Sequence, residues 1–220
     1  TTEVLKIVKP KPSYRIFGGS QDRPVPGLGS NPKSGVTIDY YLPKKLDTTE
    51  LKLEVLKNGK VIRSYSNQKV KGFTSWPGGP PKPQLLPSKK GYNRFTWDFR
   101  KEAIPAVKKV FVFGNYAGAA VPPGDYILRL SSDGQSVETT ATIKANPKIN
   151  ATQADYEEQY ATLNQIENTL NKMHDAVNDS DKTRYILMMR VWHPDLTAVE
   201  RDALQFIYDL LIVCVKSFLN

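Results

Sequence analysis

Three aspartates of this 220-residue chain, Asp39, Asp98 and Asp125, stand where carboxylate chemistry could be sought. Glycoside cleavage needs two carboxylates roughly 5–10 Å apart in a cleft. Nothing in the spacing of these three brings a pair together, and roles at turns and strand ends are expected instead. Asp155, Glu157 and Glu158 open a helical pattern, where they complement the positive end of a helix rather than hold a metal. Cys214 lies within an apolar run and reads as a buried, inert thiol. A single cysteine excludes an internal disulfide framework and a multi-cysteine zinc or iron–sulfur site. His174 and His193 are too few for a His-rich metal centre. No P-loop, GxSxG, HExxH or dinucleotide fingerprint is present, and Gly18-Gly19 and Gly78-Gly79 lack the strand–loop–helix context of a phosphate cradle. No catalytic residue, metal or cofactor is expected, and the chain is not read as an enzyme.

Aromatic side chains offer a different chemistry. A pyranose ring stacks its apolar face on an exposed aromatic ring, and Trp76, Phe73, Tyr92 and Tyr116 are the candidates for such a ligand-binding platform. The competing expectation is that these rings pack beneath their own loops. Two of the four lie in the long segment from Gln68 to Gly91, which carries five prolines (Pro77, Pro80, Pro81, Pro83, Pro87) and five lysines. Loops of that length are uncommon in compact domains and often functional. A second Gly/Pro-rich stretch runs from Gly18 to Ser34.

The elements that would position these groups are mostly strands. Val36–Leu42 alternates and ends at Pro43. Leu51–Leu56 and Val61–Ser66 flank Asn58-Gly59, whose residue types accept the positive φ of a tight hairpin turn. Tyr92–Phe99 is aromatic-rich, Lys109–Phe113 follows, and Tyr126–Ser131 and Val137–Lys144 flank a second hairpin signal, Asp133-Gly134. Trp97 and Phe95 should point inward, with Asn93, Asp98 and Arg100 facing away or tying the strand end. Tyr126, after the Pro123-Gly124 turn, suits a buried corner tyrosine whose hydroxyl bonds backbone. Seven strands predict a mainly β fold with an α tail: an immunoglobulin-like or fibronectin-type-III-like β-sandwich over residues 35–148. Residues 1–34 read as an extended N-terminal linker from a preceding domain.

Helical spacing begins at Thr152 and runs to Val177, with Tyr156, Tyr160, Leu163, Ile166, Leu170 and Met173 on one apolar face. Thr183–Val191 is a second short helix. Thr197 to Glu200 forms a capping box that opens a third, through Leu219. The helical tail, residues 149–220, is therefore two or three helices.

Charge divides the chain in the same place. Residues 1–150 hold 25 Lys/Arg against 11 Asp/Glu, and residues 151–220 hold 6 against 11. That asymmetry suggests two structural units. The lysines are spread over strands and turns rather than gathered into a footprint, so nucleic acid is not an expected partner. No run of about 18 apolar residues exists, and no membrane-spanning helix is expected. The chain starts at Thr1 without a signal-peptide pattern, which is expected of a mature or excised segment.

Read in order, Asn31-Pro32, the Gly35–Leu42 strand, Leu53–Leu56, Asn58-Gly59, Val61–Arg63, Gly91–Arg100 and Pro122–Leu128 resemble the C-terminal region of large exported bacterial proteins with sortilin-like or BNR-repeat β-propellers, often labelled glycosyl-hydrolase-like. The resemblance covers about residues 8–170. It implies an Ig-like module and helical tail following the propeller, akin to the flagellar hook-capping Ig-like domain. Lys9 to Arg15 would be the segment leaving the propeller. The implied role is a non-catalytic accessory or interaction module, exported to the periplasm or beyond, whose partner is the preceding propeller. A carbohydrate-binding module of a glycosidase, with glycan as partner, is the alternative.

His193-Pro194-Asp195 is the tripeptide through which J-domain co-chaperones engage their partner. The lysine-rich preceding helix is missing, so a loop in which Pro194 ends one helix before Thr197 caps the next is the stronger expectation.

Overall fold

The computed structural model describes residues 4–17, 33–106, 108 and 115–178, with side chains through Lys172. The chain divides into two compact units, Thr1–Ser180 and Asp181–Asn220, of which the second lies outside the described residues. The first unit is mainly β with one C-terminal helix. Its strands are β1 (Lys6–Ile7), β2 (Ser13–Tyr14), β3 (Val36–Leu42), β4 (Leu51–Lys57), β5 (Lys60–Ser66), β6 (Gly91–Trp97), β7 (Gly124–Ser132) and β8 (Gln135–Lys144), followed by α1 (Gln153–Asn178).

They form two sheets. One is three-stranded, in the order β1-β3-β6, and the other five-stranded, in the order β2-β8-β7-β4-β5. All pairings are antiparallel except β2 with β8. Alternation explains the layering. Val36, Ile38, Tyr40 and Leu42 of β3, with Phe95 and Trp97 of β6, share one buried core with Leu51, Leu53 and Val55 of β4 and Tyr126, Leu128 and Leu130 of β7. Edge-to-face ring contacts join the layers: Trp97 to Tyr126 at 5.3 Å between centroids, and Tyr65 to Phe95 at 4.6 Å. Leu56 breaks the period and is still buried, because the β4–β5 register shifts between Val55 and Leu56.

Both hairpins form as their turn residues dictate. Asn58 and Gly59 take φ of 51° and 75°, and Asp133 and Gly134 take 52° and 74°. Tyr126 is buried and donates its hydroxyl to the Pro122 carbonyl at 2.7 Å, the expected corner bond. Asn93 ties a turn, as its type and position suggest, but does so from the inner face rather than the outer one. It faces inward with Phe95 and Trp97, and its amide ties the preceding turn through Lys89 N, Lys89 O and Gly91 O. Those three bonds satisfy the amide and permit its burial. The segment expected to be a strand at Lys109–Phe113 lies outside the described residues.

The helix keeps most of its predicted face, with Tyr160, Leu163 and Leu170 half-buried, and departs from it at Ile166. Thr152 caps it, its Oγ1 accepting from Asp155 N at 3.2 Å while Asp155 Oδ2 accepts from Thr152 N at 2.7 Å. Tyr156 is buried as expected, but Ile166 is 41% exposed and Glu167 only 7%. Lys101 on the sheet side is the reason: its Nζ lies 3.2 Å from Glu167 Oε1 and donates to Asn164 Oδ1 at 2.8 Å. A buried carboxylate is held by a cation, and Glu167 takes the inward place at that turn instead of Ile166.

Candidate functional site on the outer face of the three-stranded sheet

The inner face of β3 and β6 is filled by the core, so their alternate residues face outward. The register sets these in rows. Lys6, Tyr41 and Tyr92 lie opposite one another across the three strands. Asp39 lies opposite Arg94, and Thr37 opposite Thr96. Val8 extends the second row, its amide donating to the Asp39 carbonyl at 2.8 Å.

Each row has a distinct chemistry. Tyr41 and Tyr92 meet edge to face, 5.4 Å between centroids, and Tyr92 is 78% exposed. Arg94 grips Asp39 with two parallel bonds, Nε to Oδ1 at 2.7 Å and Nη2 to Oδ2 at 3.0 Å. The hydrogen bond to Asp39 holds the Arg94 guanidinium above its ordinary pKa. Beside them runs a groove of about 410 Å³, bounded by residues 8–11, Ser13, Thr37, Asp39 and Arg94. Lys9 and Lys11 on its rim form no ion pair among the described residues.

The same N-terminal segment crosses the molecule. β1 adds to the three-stranded sheet, β2 adds to the five-stranded sheet, and Arg15 follows, its amide donating to the Lys144 carbonyl at 2.8 Å. Arg15 is buried under the start of α1. It donates to Gln159 Oε1 at 2.9 Å and lies over the rings of Tyr156 (4.9 Å) and Phe17 (5.3 Å). Burial lowers its pKa.

The four aromatic residues singled out from sequence are separated by this arrangement. Tyr116 is 6% exposed and donates its hydroxyl to Gly78 O at 3.2 Å. Trp76 is half-buried over Gly79, where an added Cβ would fall 2.6 Å from its ring. These two meet at the Gly78-Gly79 turn of the Trp76 loop, which Tyr116 reaches from a distant part of the chain. Phe73 is half-buried in the same loop. Tyr92 is the one that presents an open ring, and its ring contact is Tyr41. Sequence reasoning missed Tyr41 and Arg94. The alternation of Thr37, Asp39 and Tyr41 against Ile38 and Tyr40 was the available signal, but the cross-strand register was not.

Of the carboxylates, Asp39 is bound to Arg94 and Asp125 accepts from Thr142 Oγ1 at 2.6 Å. Among the described residues no group of three or more His, Cys, Asp or Glu could hold a metal, and no helix is long and apolar enough to cross a membrane. His193-Pro194-Asp195, Cys214 and the two later helices lie outside the described residues. No family model, curated protein or solved structure matches this chain.

Proposed function

We propose that this chain is a non-catalytic accessory module of an exported bacterial propeller protein: an immunoglobulin-like or fibronectin-type-III-like β-sandwich with a helical tail that docks on or orients the propeller. The observation that supports this reading is the path of residues 4–17. They pair with both sheets and pin Arg15 beneath α1. A segment held along its length transmits the orientation of whatever precedes it, whereas a free linker would not. Its outward side also carries exposed Val4, Val8, Tyr14, Ile16 and Phe17, apolar surface suited to an abutting domain.

The test is small-angle scattering of the parent polypeptide, with Val4→Asp/Ile16→Asp as the disrupted form. A rigid particle that expands in the double variant supports docking. The same extended, beads-on-a-string profile in both forms overturns it.

A further inference from the structure

We propose that the outer face of the three-stranded sheet binds a carboxylate-bearing polysaccharide, with Tyr92 as its stacking surface and Lys9, Lys11 and Arg94 as its charge contacts. This site does not rest on the docking role and differs from the Trp76 loop, although Val8 borders both it and the docking surface.

Four features carry it. Tyr92 projects a ring that is 78% exposed and meets Tyr41 edge to face, a contact that holds the ring while leaving most of it open. Asp39 and Arg94 are locked together by two bonds and keep further acceptor and donor capacity for sugar hydroxyls. The register puts that pair two residues along both strands from the tyrosines, on the same face. The groove of about 410 Å³ beside them has Asp39 and Arg94 in its wall and is also lined by Lys9 and Lys11, cations that Asp39 does not compensate.

Charge selects the occupant. Arg94 occupies Asp39, which leaves Lys9 and Lys11 as net positive charge on the rim. A polymer with intermittent carboxylates can place them at the lysines and its hydroxyls at Asp39. A nucleic acid carries a phosphate at every step and would meet the Asp39 carboxylate. One open ring also offers a nucleic acid fewer stacking partners than a single-strand groove supplies.

The experiment is affinity electrophoresis of the full chain through gels containing hyaluronan (whose carboxylates fall on every second sugar), dextran or single-stranded DNA, at low and at about 0.15 M salt. Retardation by hyaluronan, weakened by salt, is expected, with little by dextran or DNA. Tyr92→Ala, at an exposed position, should weaken it about tenfold or more, and Lys9→Ala/Lys11→Ala should remove most of its salt dependence. Thermal melts check that each variant folds. Absence of retardation overturns the proposal. So does equal retardation by DNA, or retardation unchanged by Tyr92→Ala, because either means charge alone. Equal binding of dextran overturns the choice of an acidic polymer. None of these outcomes bears on docking, which the scattering experiment reads separately.

Discussion

Replacing Tyr126 by Phe isolates a single bond of the corner between the sheets. The ring is 1% exposed and sits 5.3 Å from Trp97, with Lys57 Nζ 4.5 Å from its centroid. Phe keeps those contacts and opens no cavity. What is lost is the 2.7 Å bond from the hydroxyl to Pro122 O. A bond of this kind contributes about 0.5–1.5 kcal/mol net, and a fully buried orphaned acceptor costs about 1–3 kcal/mol. Pro122 is only half-buried, so water can reach its carbonyl and the lower range applies. The expected loss is about 1 kcal/mol, which for a unit of this size lowers Tm by about 2–4 °C. Urea unfolding followed by tryptophan fluorescence measures it, with an unchanged m-value as the sign that packing is intact. A variant as stable as the parent, within about 0.3 kcal/mol, would refute the claim that the corner bond stabilises the fold. A loss above about 3 kcal/mol would mean that the ring had moved and that the rest of the reasoning about its contacts fails.

Alkaline pH should unfold the β core. Burial raises the pKa values of Tyr40, Tyr65 and Tyr126 well above the ordinary phenol value. Their contribution is complete below about pH 10, where the unfolded phenols begin to ionise, and each loses about 1.4 kcal/mol per pH unit above it until the folded phenol titrates. Unfolding free energies between pH 8 and 11.5 should therefore fall steeply only at the alkaline end, and a flat profile contradicts the burial. Trp97→Ala removes the largest core side chain and its indole bond to Arg100 O at 2.8 Å, so a loss of about 3–5 kcal/mol is expected in the same assay. Lys101→Met should cost about 3 kcal/mol by leaving Glu167 buried without its cation, whereas Ile166→Ala should change stability by less than about 0.5 kcal/mol. The reverse order would restore the apolar face that spacing alone predicts. Gly35→Ala should cost more than about 1 kcal/mol, since its φ is +146° and a Cβ would lie 2.4 Å from Trp97 O.

Local chemistry was enough to place β3 to β8 and both hairpins. Alternation along Val36–Leu42 names its buried face whatever the partner, because successive side chains point to opposite sides. Asn58-Gly59 and Asp133-Gly134 select their turns because few residue types tolerate positive φ. The Thr152 start of α1 was legible for the same reason, since the capping residues lie three apart in sequence. What tertiary structure decided depends on partners distant in the chain. Lys101, from another part of the fold, turned Glu167 inward in place of Ile166. The two-residue strands β1 and β2 carry too little pattern to announce themselves and exist because β3 and β8 offer them hydrogen bonds. Tyr92 was named from sequence for its residue type, but Tyr41 and Arg94 joined it only through the β3–β6 register, and Tyr116 and Trp76 left it because both pack at the Gly78-Gly79 turn. Alternation says which residues share a face of a strand; only the pairing of strands says which residues from different strands stand side by side.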